Sequence, residues 1–305
     1  MTQDGYRLEV DDITKRYGGK TVVDHLSFTV EPGRVTGFLG PNGSGKSTTM
    51  KIMLDLAAAH GGGATIGATR YRDLPDPART VGVVLEPNAF HPGRSGRNHL
   101  RIVATAAGIA PGRVDETLDL VRLSDAADKR AGAYSLGMKQ RLGLAAALLG
   151  DPPVLILDEP GNGLDPDGIR TLRNLLRARA AQGHTVFVSS HLLAEVEHLA
   201  DDVVVINRGR LVTSGPLREI QEQASLVRTP AATELRRALE AAGATVESAD
   251  PESLLVRGLR LDEIGEEAYR AGIALHELSP HAGSLEQLFL GWTAGDLDTG
   301  EEEPA

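Results

Sequence analysis

Nine consecutive residues, Gly40-Pro41-Asn42-Gly43-Ser44-Gly45-Lys46-Ser47-Thr48, match the spacing G-x-x-x-x-G-K-[ST]. Glycines in such a loop let successive backbone N–H groups turn inward and form a positive concavity for phosphate oxygens. Lys46 then reaches the terminal phosphates as a point charge, and the Ser47 hydroxyl ligates Mg²⁺. The same letters also describe a Gly-rich turn that merely caps a helix. The flanks decide between the two readings. An apolar strand, Arg34–Leu39, precedes the loop, and a helix carrying Met50, Met53, Leu54 and Ala57 follows it, which is the context a phosphate loop requires.

A second constellation runs from Tyr134 to Pro166. Its apolar run Val154–Leu157 ends in Asp158 and Glu159. An isolated Asp-Glu pair is usually a solvated loop. At the C-terminal end of a buried strand, where open α/β sheets bind ligands, it reads as chemistry. Asp158 is placed to hold Mg²⁺, directly or through water. Glu159 points to the other side of the strand end, where it orients or deprotonates a water for in-line attack on a γ-phosphate. Ser135 and Gly137 sit just before a helix expected over Lys139–Leu149, whose free N–H groups and dipole attract anions. Read alone, that turn is an ordinary N-cap. His191 follows the strand Thr185–Ser189, a place where a histidine is more often a polar cap than a phosphate contact.

The elements that must position these groups alternate. Strands are expected at Tyr6–Val10 and Val22–Val30 around a turn at Tyr17-Gly18-Gly19, and another at Thr80–Leu85. Residues 92–150 are helix-patterned, with Leu100, Val103 and Ala104 on one face and Val114, Leu118 and Val121 on another, an all-helical insertion. Val154–Asp158 suits a parallel strand buried on both faces. A helix over Asp167–Gln182, the strand bearing His191, a helix through Leu199 and a hairpin around Asn207-Arg208-Gly209 complete an α/β three-layer sandwich of the P-loop NTPase type. From Ser225 the pattern becomes strand (225–229), helix, strand (245–248), strand (253–257), helix, strand (274–278), an α+β arrangement of ferredoxin-like order. A short helix with Leu285, Leu288, Phe289 and Trp292 follows.

Length and composition agree with this organisation. The 305 residues allow one large or two modest domains, and 41% hydrophobic with 24% charged residues is ordinary for a globular chain. The net charge of −10 argues against a general nucleic-acid binder, which carries a basic stripe. Much of that charge is local, at Asp296, Asp298, Glu301, Glu302 and Glu303. The absence of cysteine excludes a disulfide scaffold, a thiolate metal site and a Cys nucleophile. The opening MTQDGYRLEV lacks the pattern of a secretory leader, and no window is apolar enough to cross a bilayer. Any membrane role must therefore run through a partner.

The ordered set of motifs over residues 1–220 resembles the ATP-binding subunit of ABC transporters, in particular the bacitracin- and daunorubicin-exporter subgroup. The loop at Gly40–Thr48 corresponds to Walker A and Val154–Glu159 to Walker B. Tyr134-Ser135-Leu136-Gly137-Met138-Lys139-Gln140-Arg141 resembles the family signature, Asn162-Gly163-Leu164-Asp165 the D-loop, and Ser189-Ser190-His191 the switch-histidine loop. The resemblance implies adenine stacking on Tyr17, a γ-phosphate contact from His191, and a sandwich dimer in which Ser135 and Gly137 meet the partner's nucleotide, with Asp165 at the same interface. Two positions depart from the pattern. Glu86 stands where the family has a Gln that contacts Mg²⁺ and the attacking water, and Leu136 stands at the signature's first Gly.

The resemblance further implies an ATPase, with ATP and Mg²⁺ as cofactors, that is cytoplasmic and peripheral on the inner face of the cell membrane. It would power a separate permease exporting a drug, peptide or lipid, paired with a second ATP-binding subunit, as a homodimer, and without nucleic acid. The expected organisation is an ATP-binding domain over 1–224 with a helical subdomain at 87–150, an accessory α+β domain over 225–294 and a disordered acidic tail over 295–305. Residues 87–133 are the expected permease docking surface. Two other readings compete: an ABC-type ATPase acting in translation or DNA maintenance, and an ATPase gated by its C-terminal domain. The translation factors usually carry two cassettes in one chain and the DNA-maintenance proteins long coiled coils. This sequence shows neither.

Overall fold

Val35–Leu39, Val154–Leu157 and Thr185–Ser190 are buried at every position, as parallel strands covered on both faces must be. The computed structural model describes residues 5–86, 89–221, 224–281, 285–286 and 289. It divides into two compact units, 1–214 and 215–305.

In chain order the first unit contains β1 (Leu8–Tyr17), β2 (Lys20–Val30), β3 (Val35–Leu39), α1 (Lys46–Met53), β4 (Gly61–Ile66), α2 (Pro77–Thr80) and β5 (Val81–Val84). The helical insertion follows as α3 (Gly96–Ala106), α4 (Arg113–Leu120) and α5 (Leu136–Leu148). Then come β6 (Val154–Leu157), α6 (Pro166–Ala181), β7 (Thr185–Ser190), α7 (Leu193–Leu199), β8 (Asp202–Asn207) and β9 (Arg210–Pro216). A six-stranded sheet has the order β5-β6-β7-β3-β8-β9, and a separate three-stranded sheet the order β2-β1-β4.

Register places the site. β3 and β7 run parallel with Leu39 opposite Ser190, and β6 and β7 run parallel with Leu157 opposite Val188. The residues just past these strand ends, Gly40, Asp158 and His191, therefore emerge along one edge. Helix α1 is held between the two sheets: Met50 and Met53 share a core with Leu8, Leu26 and Phe28 on one side and Phe38, Ile156 and Phe187 on the other. Phe28, Phe38 and Phe187 stack with centroids 5.0–5.7 Å apart and tie the sheets together. On the opposite face of the parallel sheet, Leu100, Leu118, Leu142 and Leu148 of the insertion share a core with Leu172 and Leu176 of α6.

The second unit contains α8 (Leu217–Gln221), β10 (Ala224–Arg228), α9 (Ala232–Ala241), β11 (Thr245–Asp250), β12 (Ser253–Arg257), α10 (Leu261–Arg270) and β13 (Glu277–His281). Its antiparallel sheet, ordered β11-β12-β10-β13, packs Val227, Leu254 and Val256 against Leu235, Leu239 and Ile264 of the two helices. This β-α-β-β-α-β order is the ferredoxin-like arrangement.

Several elements differ from the sequence expectation. β4 was not foreseen, because Gly61-Gly62-Gly63 carries no strand propensity; β1 supplies its partners, Asp11 opposite Gly63 and Val10 opposite Ala64. β1 runs seven residues beyond the expected Val10, since its register shifts between Val10 and Ile13 and so breaks the alternation. By compactness the chain divides at Ser214/Gly215, within β9, so that α8 clusters with the second unit. The last strand begins at Glu277 rather than Ala274 and tolerates Pro280 because it lies at a sheet edge. The expected tail over 295–305 lies outside the described residues, as do Leu288 and Trp292 of the terminal helix.

Candidate active site

The loop after β3 turns into α1 at Gly45, whose φ of +108° suits glycine and whose missing Cβ would stand 2.8 Å from the Val22 carbonyl oxygen. No side chain caps α1, so the first-turn N–H groups have no intrahelical partner and remain available to an anion. The Ser44 hydroxyl is buried without a hydrogen-bond partner among the described residues. Lys46 is only 6% exposed, and its Nζ donates to the Gly40 carbonyl at 2.6 Å and the Pro41 carbonyl at 3.2 Å. Burial lowers its pKa, while the charges of Glu159 and Asp158 work in the opposite direction. Residues Val22, Asn42, Lys46, Thr48 and Glu159 border a cleft of about 240 Å³ at this loop.

Asp158 closes the site from the strand side. Ser47 Oγ donates to Asp158 Oδ2 at 2.6 Å, and Ser189 Oγ donates to Asp158 Oδ1. The same Ser189 Oγ accepts from the Glu159 N–H at 2.9 Å. The first turn of α1 and the ends of β6 and β7 are thereby linked through one carboxylate. Glu159 adopts φ +50°, a left-handed conformation uncommon for a side chain of its size. Its Oε2 accepts from His191 Nδ1 at 2.6 Å, and its carbonyl accepts from Gln140 Nε2 at 3.2 Å. Nearby, burial and then the Glu159 charge raise the pKa of Glu195.

The structure therefore gathers Gly40–Thr48, Asp158, Glu159 and His191. A second cluster forms where α5 and α6 begin. Ser135 N-caps α5, accepting from the Met138 N–H at 3.3 Å, so α5 begins at Leu136 and not at Lys139, and Gly137 lies in its first turn. Asp165 N-caps α6 by accepting from the Gly168 N–H at 2.9 Å and accepts from Arg141 at 3.1 Å. Leu136 is 53% exposed, yet its side chain lies against Gly163, at φ +76°, on the side where a Cβ would project. Leucine at 136 thus depends on glycine at 163. Gly163→Ala is expected to destabilise the chain by about 1 kcal/mol or more, read as a lower thermal midpoint.

Two expected residues make no hydrogen bond or ion pair to these clusters among the described residues. Glu86 is exposed and faces Lys51 Nζ at 3.9 Å; it is not a partner of Ser47 or Asp158. Tyr17 is 50% exposed at the end of β1, beside the two-residue turn Gly18-Gly19 with φ of +53° and +84°. Sequence reasoning missed the role of Gln140, whose helix position looks like any other, and the pairing of Lys51 with Glu86. A signal existed for Gln140 alone: it lies one residue before Arg141 in the signature run.

A phosphate loop, a strand-end acidic pair and a histidine on one edge of a parallel sheet define a P-loop ATPase cassette. Residues 23–162 match the family model described as ABC transporter, and residues 223–286 match a domain of unknown function (DUF8746). The bacitracin transport ATP-binding protein BcrA of Bacillus licheniformis is 40% identical over 71% of this chain and 72% of its own length. An uncharacterized ABC transporter ATP-binding protein of Bacillus subtilis (strain 168), YdbJ, is 31% identical over 97% of this chain and 98% of its own. Among solved structures, an ATP-binding subunit of an ABC transporter aligns over 86% of this chain and 99% of its own, with a TM-score of 0.65 and 28% identity. A dimeric ATP-binding cassette bound to ADP and phosphate shares the fold at a TM-score of 0.63 and 22% identity, over 69% of this chain and 99% of its own. The chain belongs to the ATP-binding subunits of ABC transporters, nucleotide-binding ATPases that work with a membrane permease. Among the described residues no helix is long and apolar enough to cross a membrane.

Proposed function

We propose that this chain binds Mg²⁺-ATP at the Gly40–Thr48 loop and hydrolyses it with Glu159 as base, as one half of a homodimer that drives a separate exporter permease. The observation that supports this most is the convergence of Lys46, Ser47, Asp158, Glu159 and His191 on one sheet edge. The donor set fits magnesium. Among the described residues no group of three His, Asp or Glu is arranged to hold a metal ion, and one carboxylate with one hydroxyl is what Mg²⁺ takes when phosphates complete its shell. Ser47 and Asp158 would hold that ion, which neutralises charge on the phosphates. Lys46 and the first-turn N–H groups of α1 bind the phosphate chain, Glu159 takes the proton of the attacking water, and His191 fixes the Glu159 carboxylate through its 2.6 Å bond. Asp158→Asn is expected to raise the Mg²⁺ concentration for half-maximal ATPase by about 10- to 100-fold, measured by magnesium titration at fixed ATP.

Ser135 and Gly137, at the N-terminus of α5, serve the nucleotide of the second copy, with the D-loop beside them. A permease contact is supported by a groove of about 330 Å³ between α1, β5 and the insertion, floored by Val84, Phe90 and Ala146 and rimmed by Lys51 and Glu86. Leu56 and Ile102 are exposed in α1's following turn and on α3. In this reading the protein is peripheral on the inner membrane face, and the cargo is a drug, peptide or lipid, as for BcrA, whose name specifies bacitracin. Co-purification from membranes, followed by identification of the permease, tests the coupling. Ile102→Glu should release the chain from that permease while ATP binding stays intact; retention would move the docking surface elsewhere.

A further inference from the structure

Lys15 is a charged residue on β1, yet it is only 9% exposed. Its Nζ donates to the Ala58 carbonyl at 2.6 Å and stands 4.8 Å from the centroid of the Tyr17 ring. The β1–β2 register shifts between Lys15 and Arg16, so strand alternation does not set where these side chains lie; the ammonium nonetheless sits over the Tyr17 ring. Burying an ammonium costs free energy unless it finds partners, and one carbonyl with one ring is a small return for a merely structural role. A methionine would fill the same space without that cost.

The placement suggests what the charge is for. Tyr17 is half exposed, and one face of its ring is covered by the Lys15 ammonium, so its exposure belongs to the opposite face and the edge. The hairpin bearing both residues borders the phosphate cleft, because Val22 of β2 lines it and the Val22 carbonyl packs against Gly45. We propose that Lys15 is a positioning residue for nucleotide binding: its ammonium backs the Tyr17 ring and makes the free face a platform for a purine base. The inference rests on Tyr17 being the residue that meets the base. A cation below the ring draws electron density toward itself and reduces the repulsion between the upper face and an electron-rich purine. The bond to Ala58, in the turn between α1 and β4, fixes the ammonium and with it the ring. The gain scales with stacked area, so it is larger for a purine than for a pyrimidine and absent for phosphate alone.

The test measures equilibrium binding of ATP, CTP and inorganic tripolyphosphate, each with Mg²⁺, to the full chain by calorimetry. Lys15→Met removes the cation and keeps the packing. Lys15→Gln keeps a donor for Ala58 and guards against a folding defect. Both should weaken ATP by about three- to tenfold and CTP by about twofold, and leave tripolyphosphate unchanged. Lys15→Arg, which retains a cation, should stay within about twofold of the unsubstituted chain for ATP. Tyr17→Ala should weaken ATP at least as much as Lys15→Met. If Tyr17→Ala leaves ATP binding intact, the base does not stack there and the platform falls with it. If Tyr17→Ala weakens ATP but neither Lys15→Met nor Lys15→Gln does, stacking stands and the role of Lys15 is overturned. Equal loss of ATP and tripolyphosphate in the Lys15 variants also overturns it, since the lysine would then act through the fold or through long-range charge.

Discussion

Glu159→Gln should bind Mg²⁺-ATP with unchanged affinity and hydrolyse it at least about a hundredfold more slowly, the range lost with a general base. The amide keeps the size of the carboxylate and can still accept from His191 Nδ1, so the local hydrogen bonding survives while the proton acceptor is lost. The main-chain anchors, Ser189 to the Glu159 N–H and Gln140 to its carbonyl, do not involve the side chain and hold the +50° conformation in either variant. Binding without turnover should accumulate an ATP-bound dimer, visible as a shift to twice the mass in size-exclusion chromatography with nucleotide present. Normal turnover would remove Glu159 from the chemistry.

Lys46→Ala carries the second large expectation: ATP affinity should fall by at least about a hundredfold in calorimetry, because charge-assisted bonds to phosphate contribute roughly 1.5–3 kcal/mol each. Folding should not suffer in parallel. Burial already disfavours the Lys46 charge, the direction in which its pKa moves, so an uncharged side chain relieves the interior of a desolvated ammonium. The thermal midpoint of the nucleotide-free chain should stay level or rise. Unchanged ATP binding would remove the phosphate-loop assignment.

The site's skeleton was legible because its signals are strong over short spans. Glycine spacing at Gly40–Lys46, a fully apolar strand before Asp158, and Ser-Ser-His at a strand end each state their own context. What escaped depends on contacts between distant segments. Gly61–Ile66 has no strand signature of its own and becomes a strand through pairing with β1. Gln140 looks like a surface residue of a regular helix until the fold brings Glu159 beneath it. Lys15 lies past the expected strand Tyr6–Val10 and reads as one more charge before the turn at Tyr17; its ammonium is held by the loop at Ala58, 43 residues away in sequence. Glu86 reads as a metal contact from the family pattern; its facing residue, Lys51, lies on α1, beyond the reach of local sequence patterns.

The Gln140–Glu159 bond has a mechanical consequence. One end of α5 presents Ser135 and Gly137, and about one turn away is the amide that grips the main chain of the base, with a buried Oε1 that has no partner among the described residues. A push on the tip of this helix from a docked neighbour would travel along a stiff rod to the pivot of the other catalytic centre. In a homodimer the two centres would then be geared like wheels on one shaft, and the timing of one would be set by the engagement of the other.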